Sequence, residues 1–202
     1  MAEGPTTVRS VRKSNMKIAI SGSIGSGKSV ACEYLRQNKG YDVFDCDQVN
    51  RKLLEKDEAG YLKVKEAFPE CFNDGELDKK KLSALVFNNE EEKKKLEEIM
   101  HPLILNELEK REDDPLFAEV PLLFEAGWDK YFDHNLLIVT DLDILVERLM
   151  ERGLDKEDIY NRLSSQMSVE EKIKRADKII YNNGSLSDLY KLIDLWLEEI
   201  IC

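Results

Sequence analysis

The sequence predicts an α/β fold, a mostly parallel sheet flanked by helices, and three observations point there. Short apolar runs at 17–21, 41–45, 118–122, 135–140 and 178–181 alternate with segments of helical spacing. That alternation belongs to a doubly wound sheet, whose ligands sit beyond the carboxyl ends of its strands. The first run leads into Gly22-Ser23-Ile24-Gly25-Ser26-Gly27-Lys28-Ser29, an unbroken G-x-x-x-x-G-K-S phosphate-binding loop. The interval after the second run is far longer than one crossover helix requires, which predicts a helical insert over about 48–115.

Met16 to Ser21 suits a buried parallel strand, and Val30 to Arg36 has helical spacing with Ala31, Tyr34 and Leu35 on one face. Strand, glycine loop and helix form the context in which such a loop binds nucleotide. Gly22 and Gly25 are expected to allow a wide turn with positive φ, and Gly27 a close approach of backbone to phosphate. The successive amides then form an anion nest backed by the helix dipole. Lys28 would reach the β- and γ-phosphates, and the Ser29 hydroxyl would ligate Mg²⁺. The loop alone specifies ATP or GTP and no acceptor.

Asp45-Cys46-Asp47 follows the second run on the ligand-bearing edge. Asp47 reads equally as an N-cap of the next helix or as a carboxylate that accepts the proton of an attacking hydroxyl. In the insert, Leu53-Leu54, Leu62, Val64, Leu82, Leu85-Val86, Leu96, Ile99, Leu103-Ile104 and Leu108 are spaced as helices, and the charges of 90–95 read as a solvated face. His101-Pro102 is expected to divide a helical stretch, with His101 a cap or a packed ring. Pro121-Leu122-Leu123-Phe124-Glu125 reads as the end of the third strand, its apolar part in the core and Glu125 towards the cleft. Arg148 and Arg152, four residues apart, can converge on one anion or pair with Glu147, Glu151 and Asp155. Asn182-Asn183-Gly184 after the last run reads as a turn able to present backbone groups to adenine.

The chain has 202 residues and a net charge of −11, which argues against broad contact with nucleic acid or anionic membrane but not against one local polyphosphate. Cys32, Cys46, Cys71 and Cys202 have neither C-x-x-C nor zinc spacing, as isolated thiols of a reducing cytoplasm would. No run is long enough to cross a membrane. Residues 1–15 read as a disordered tail or expression remnant without a function. An N-K-x-D guanine motif and an L-S-G-G-Q signature are both absent, which disfavours a GTPase switch and an ABC-type ATPase. The single D-x-x-G, at Asp57 to Gly60, lies in a charged helical region.

Taken in order, these residues resemble the dephospho-CoA kinase family from about Lys17 to the C-terminus. The resemblance rests on the loop, Asp45-Cys46-Asp47, Leu77-Asp78 before Leu82, Val86-Phe87, His101-Pro102 and Val120-Pro121-Leu122-Leu123-Phe124-Glu125. Later come Arg148, Arg152, Gln166, Ala176-Asp177 and Asn182-Asn183-Gly184. It implies a P-loop kinase fold with core 16–47 and 116–202, the insert as a helical CoA-binding subdomain, and a helical lid over about 143–166. The implied reaction moves the γ-phosphate of ATP, with Mg²⁺, to the ribose 3′-hydroxyl of dephospho-CoA. Asp47 would be the base, with Lys28, Arg148 and Arg152 stabilising the phosphoryl group and Ser29 the metal. The stretch Gly22 to Val30 and the turn Asn182 to Gly184 would hold ATP. Lys79, His101, Leu123 and Glu125 would belong with Asp47 to the acceptor side. No nucleic-acid or membrane partner is implied, and the oligomeric state stays open. Three positions depart from the family pattern: Val30 replaces the usual Thr, Lys79 an Arg, and Leu145 a Gln. Lys79 keeps the charge of arginine without its bidentate geometry.

Overall fold

The computed structural model describes residues 15–201, so Cys202 and, apart from Asn15, the predicted tail lie outside it. Five parallel strands form the main sheet in the order β2-β5-β1-β6-β7. They are β1 (Lys17–Gly22), β2 (Val43–Asp45), β5 (Leu116–Glu119), β6 (His134–Val139) and β7 (Lys178–Tyr181). Strand parity divides the core. Ile18, Ile20, Phe117, Leu136 and Ile138 point to one face, against α1 (Lys28–Lys39) and α9 (Leu186–Ile201). Ala19, Leu116, Ala118, Leu137 and Val139 point to the other. A sheet buried on both faces needs such unbroken apolar strands, which is why the runs were legible.

The third strand begins two residues and ends three residues earlier than predicted. It ends at Glu119, and Leu122 to Glu125 form turns beyond it. Pro121 cannot donate a ladder hydrogen bond, so the apolar string continues past the point where pairing stops.

The insert comprises α2 (Cys46–Leu53), α3 (Ala59–Ala67), α4 (Lys79–Asn88) and α5 (Glu90–Glu109). It is not wholly helical. A 3₁₀ turn at Pro69–Cys71 leads into an antiparallel ribbon, β3 (Phe72–Asn73) with β4 (Glu76–Leu77), turned by Asp74 and Gly75 at positive φ. Asn73-Asp74-Gly75 carried that signal. Phe68, Cys71, Leu82, Met100, Ile104 and Leu108 join the core of the sheet's second face, so insert and sheet share one apolar cluster.

Pro102 does not divide a helix: α5 runs through it. Proline removes one backbone bond, while Met100, Ile104 and Leu108 bury a stripe on both sides of it and keep the helix seated. The charges at its start are mostly exposed, as expected. The Asp57 to Gly60 match falls at the entry to α3, where Gly60 packs against the Leu53 carbonyl.

Beyond β6 come α6 (Leu142–Glu151), α7 (Lys156–Ser164) and α8 (Val169–Arg175). Leu145, Val146, Leu149 and Ile159 form a small cluster with Ile24 of the glycine loop, which seats α6 and α7 against that loop. Leu145 is thus an apolar packing residue.

Candidate active site

The loop from β1 to α1 lies at the centre of the sheet, where the connections on its two sides diverge, the usual crevice for a ligand. Positive φ occurs at Gly25 and Gly27 and not at Gly22. Gly22 closes β1, and it must be glycine because a Cβ there would sit 2.6 Å from the Ile138 carbonyl oxygen. Gly27, at φ 97°, turns the chain into α1. Its carbonyl accepts from Ala31 at 3.0 Å, which leaves the first amides of α1 facing outward.

The loop is held from behind. The Asn182 side-chain amide donates to the Ser26 carbonyl at 2.8 Å, and the Thr140 hydroxyl donates to the same carbonyl at 3.1 Å. Asn182 is buried, so its side chain is a latch on the phosphate loop. Asn183 Oδ1 accepts the Asp141 N–H at 2.9 Å.

Sequence reasoning missed Glu119. It ends β5 beside the loop and accepts from Ser29 Oγ at 2.7 Å and Lys28 Nζ at 3.0 Å. The Lys28 and Glu119 side chains are only 13% and 9% exposed. Burial pushes the Glu119 carboxyl up, but the Lys28 charge and the hydrogen bonds from Ser29, Lys28 and Cys32 outweigh it and hold the group below the ordinary carboxylate range. Ser29 and Glu119 therefore present two hard oxygen donors next to the anion nest. A carboxylate closing a strand adjacent to the loop strand is the signal that locates it.

Asp45, not Asp47, caps α2: its Oδ1 accepts the Gln48 N–H at 2.9 Å. An N-cap of this kind is worth about 1 kcal/mol. Asp47, in the first turn of α2, makes no hydrogen bond or ion pair with any described residue. Its side chain faces a cleft of about 420 Å³ bounded by Leu54, Met100, His101, Val120 and Trp128. Desolvation in that concavity, then the neighbouring Asp45 charge, raise the Asp47 carboxyl above its usual value. Burial pushes the Cys46 thiol far up, so it remains protonated beside Asp47. The His101 ring packs edge-on to Trp128 at 4.8 Å between centroids, and burial lowers its pKa, so it is neutral at pH 7.

Four predicted site residues sit differently from expectation. Leu123 is fully buried and offers no side-chain surface to the cleft. Glu125 is turned away from it, paired with the Lys172 ammonium at 2.8 Å and accepting the Met167 N–H at 3.0 Å. Lys79 is exposed at the start of α4, on a separate shallow groove with Lys80, Ser83 and Phe87. Arg148 does not stand free: it donates to the carbonyls of Asn182 at 3.0 Å and Gly184 at 3.2 Å. Arg152, by contrast, is exposed at the C-cap of α6 with no ion pair to any described residue. The alternative of pairs with Glu147, Glu151 and Asp155 is not realised by either arginine. Val30 packs partly against the core below the loop, and Ile24, Ser23 and Ser26 form its wall.

Comparison with known proteins identifies the family and the fold. A relative from Fusobacterium nucleatum called dephospho-CoA kinase is 38% identical, over 92% of this chain and 98% of its own. One from Thermus thermophilus, of the same name, is 40% identical over 91% of each chain. A crystal structure from Thermus thermophilus superimposes with a TM-score of 0.79 at 40% identity, covering 92% of this chain and 98% of that one. The solved dephospho-CoA kinase of Campylobacter jejuni gives 0.67 at 30% identity, over 91% and 96%. Shikimate kinase from Acinetobacter baumannii, at 18% identity and a TM-score of 0.55 over 94% and 97%, shares the fold. The family model of dephospho-CoA kinase matches residues 16–188, and the chain belongs to that family.

Proposed function

We propose that this chain, a kinase by family, transfers the γ-phosphate of ATP to the ribose 3′-hydroxyl of dephospho-CoA, giving CoA and ADP. The observation that carries the reading is Asp47. An unpaired carboxylate of raised pKa faces an apolar cleft on the same sheet edge as a phosphate loop. Such a group suits a general base for an alcohol.

The loop amides and the start of α1 hold the β- and γ-phosphates, and Lys28 leaves Glu119 to meet them. Ser29 and Glu119 offer hard oxygens that fit Mg²⁺. Bound there, Mg²⁺ would neutralise charge on the β- and γ-phosphate oxygens. Asp47 takes the proton of the 3′-hydroxyl as its oxygen bonds to the γ-phosphorus, and the β–γ bridging oxygen departs with ADP. Arg152 is free to swing onto the transferring phosphoryl group, where a cation contributes most. Arg148 keeps the turn at Asn182 to Gly184 in shape for the nucleotide base. The cleft wall of Leu54, Met100, Ile104 and Trp128 takes the flat acceptor base, with neutral His101 beside it. Residues 143–166 act as the lid, and the insert supplies the acceptor side. The three cysteines among the described residues are free, which suits a cytoplasmic enzyme.

A coupled ADP-release assay over dephospho-CoA, nucleosides, shikimate and water tests the reading. Dephospho-CoA alone is expected to give rapid turnover. Failure to convert it with ATP and Mg²⁺ overturns the assignment.

A further inference from the structure

We propose that Glu125 and Lys172 form a positioning pair that fixes the acceptor wall of the cleft; the kinetic part of this proposal rests on the acceptor reading above. Lys172, on α8, is completely buried. Its ammonium lies 2.8 Å from Glu125 Oε1, and the same oxygen accepts the Met167 N–H at 3.0 Å. One carboxylate oxygen thus joins α8, the segment between α7 and α8, and the turn after Pro121. The α7–α8 segment and the turn, anchored from behind by α8, both line the cleft. Gln166, adjacent to Met167, lines it together with Asp47, and so do Leu122 and Ala126 on either side of Glu125.

Lys172 also reaches the nucleotide half. Its side chain borders a small cavity with Ser23 and Ser26 of the phosphate loop and with Thr140. One turn further along, Arg175 donates to the Phe124 carbonyl at 2.6 Å and pairs with Asp129, so α8 is tied twice to the 121–129 segment.

A buried ion pair rarely stabilises more than an apolar pair of equal volume, because both charges lose their hydration. Here the pair is not even saturated: Glu125 Oε2 and the Lys172 ammonium have hydrogen-bonding capacity that no described group satisfies. What the pair supplies is geometry. With Lys172 gone, Glu125 has no counter-charge and turns towards solvent. Met167 then loses its acceptor, and Gln166 leaves the wall. Neither member reaches the reacting hydroxyl, and methionine keeps most of the Lys172 volume beside the loop cavity, so the effect falls on acceptor binding.

The test compares Lys172→Met, Lys172→Arg and the double variant Lys172→Met/Glu125→Met with the parent protein. The double variant leaves no lone charge buried and so is the one expected to fold best. Steady-state kinetics with dephospho-CoA and ATP is read beside amide hydrogen exchange at Met167 without substrate. In Lys172→Met and in the double variant, the acceptor KM rises about tenfold, the ATP KM stays within twofold, and Met167 exchanges at least tenfold faster. Lys172→Arg restores the acceptor KM to within threefold of the parent. Unchanged Met167 exchange in the double variant overturns the proposal, and so does an equal rise in both KM values. Exchange needs no turnover, so a parent protein inactive on dephospho-CoA would sink the assigned reaction while the positioning pair is still judged by its own readout.

Discussion

Replacing Glu119 by Gln removes the counter-charge of Lys28 while keeping an oxygen for the Ser29 hydroxyl. The two charged side chains are 13% and 9% exposed, so solvent does little to compensate the orphaned ammonium. Breaking a buried pair by deleting one partner costs about 3–5 kcal/mol. The retained amide oxygen puts this case near the lower limit, about 3 kcal/mol, and for a chain of this length that corresponds to a fall in Tm of about 6–12 °C. Saturating ATP gives Lys28 a new counter-charge in the phosphates, so the deficit between variant and parent shrinks when nucleotide is present. Turnover falls by about 10²-fold or more, since a preorganised charge at the phosphoryl site is lost. Scanning fluorimetry with and without ATP, joined to the coupled assay across a magnesium titration, measures all three. A variant with Tm within about 1 °C of the parent and the same magnesium dependence would refute the assignment of Glu119 to the phosphate site.

The remaining predictions concern the base and the arginines. Because Asp47 must be ionised to accept a proton and its pKa is raised, kcat/KM should fall with decreasing pH at a midpoint above that of an unperturbed aspartate. Asp47→Asn should lower kcat by at least about 10²-fold and abolish that acid limb; a limb that survives in the variant belongs to another group. Arg148 and Arg152 should separate cleanly. Arg148→Ala loses two charge-assisted bonds to the carbonyls of Asn182 and Gly184 and, being only partly buried, should destabilise by about 1–3 kcal/mol, read as a lower Tm. Arg152→Ala should leave Tm unchanged and reduce kcat at least about tenfold, and an unchanged rate would make Arg152 a surface residue only.

The parallel strands and the glycine loop were legible because each signal is local. Buried strands are apolar without interruption, and the loop needs its residue types at fixed spacing. The ribbon at 72–77 had a local signal in Asn73-Asp74-Gly75, while two other misplacements came from long-range effects. The apolar run through Val120 and Leu122 outlasts the strand, since pairing with β1 ends at Ile20 opposite Glu119 while β1 itself continues to Gly22 against β6. Pro102 reads as a break in isolation, yet the buried stripe of α5 overrides it. At the site, Lys28, Ser29 and Asp47 could be read from the sequence. Glu119, Asn182 as a latch, and the burial of Leu123 could not, because each depends on which strands become neighbours. Glu125 and Arg148 show the same limit from the other side. A charged residue near a strand end looks functional until its partners are known, and theirs are Lys172 and two backbone carbonyls.

The placement of charge is compatible with the proposed binding of a polyphosphate by an acidic protein. The overall charge of −11 is spread over exposed helices, where water and salt screen it within about 8–10 Å. At the loop, the fixed dipoles of the amides and of α1 are close to the ligand and need no counter-ion of their own. Lys28 is held 3.0 Å from Glu119, so on the proposed reading nucleotide binding exchanges one anionic partner for another and recruits no cation from solvent. On that reading the exchange would free the Glu119 and Ser29 oxygens for Mg²⁺ as the phosphates arrive. Metal and nucleotide should therefore bind with positive coupling, and the coupling should vanish when Glu119 is neutralised.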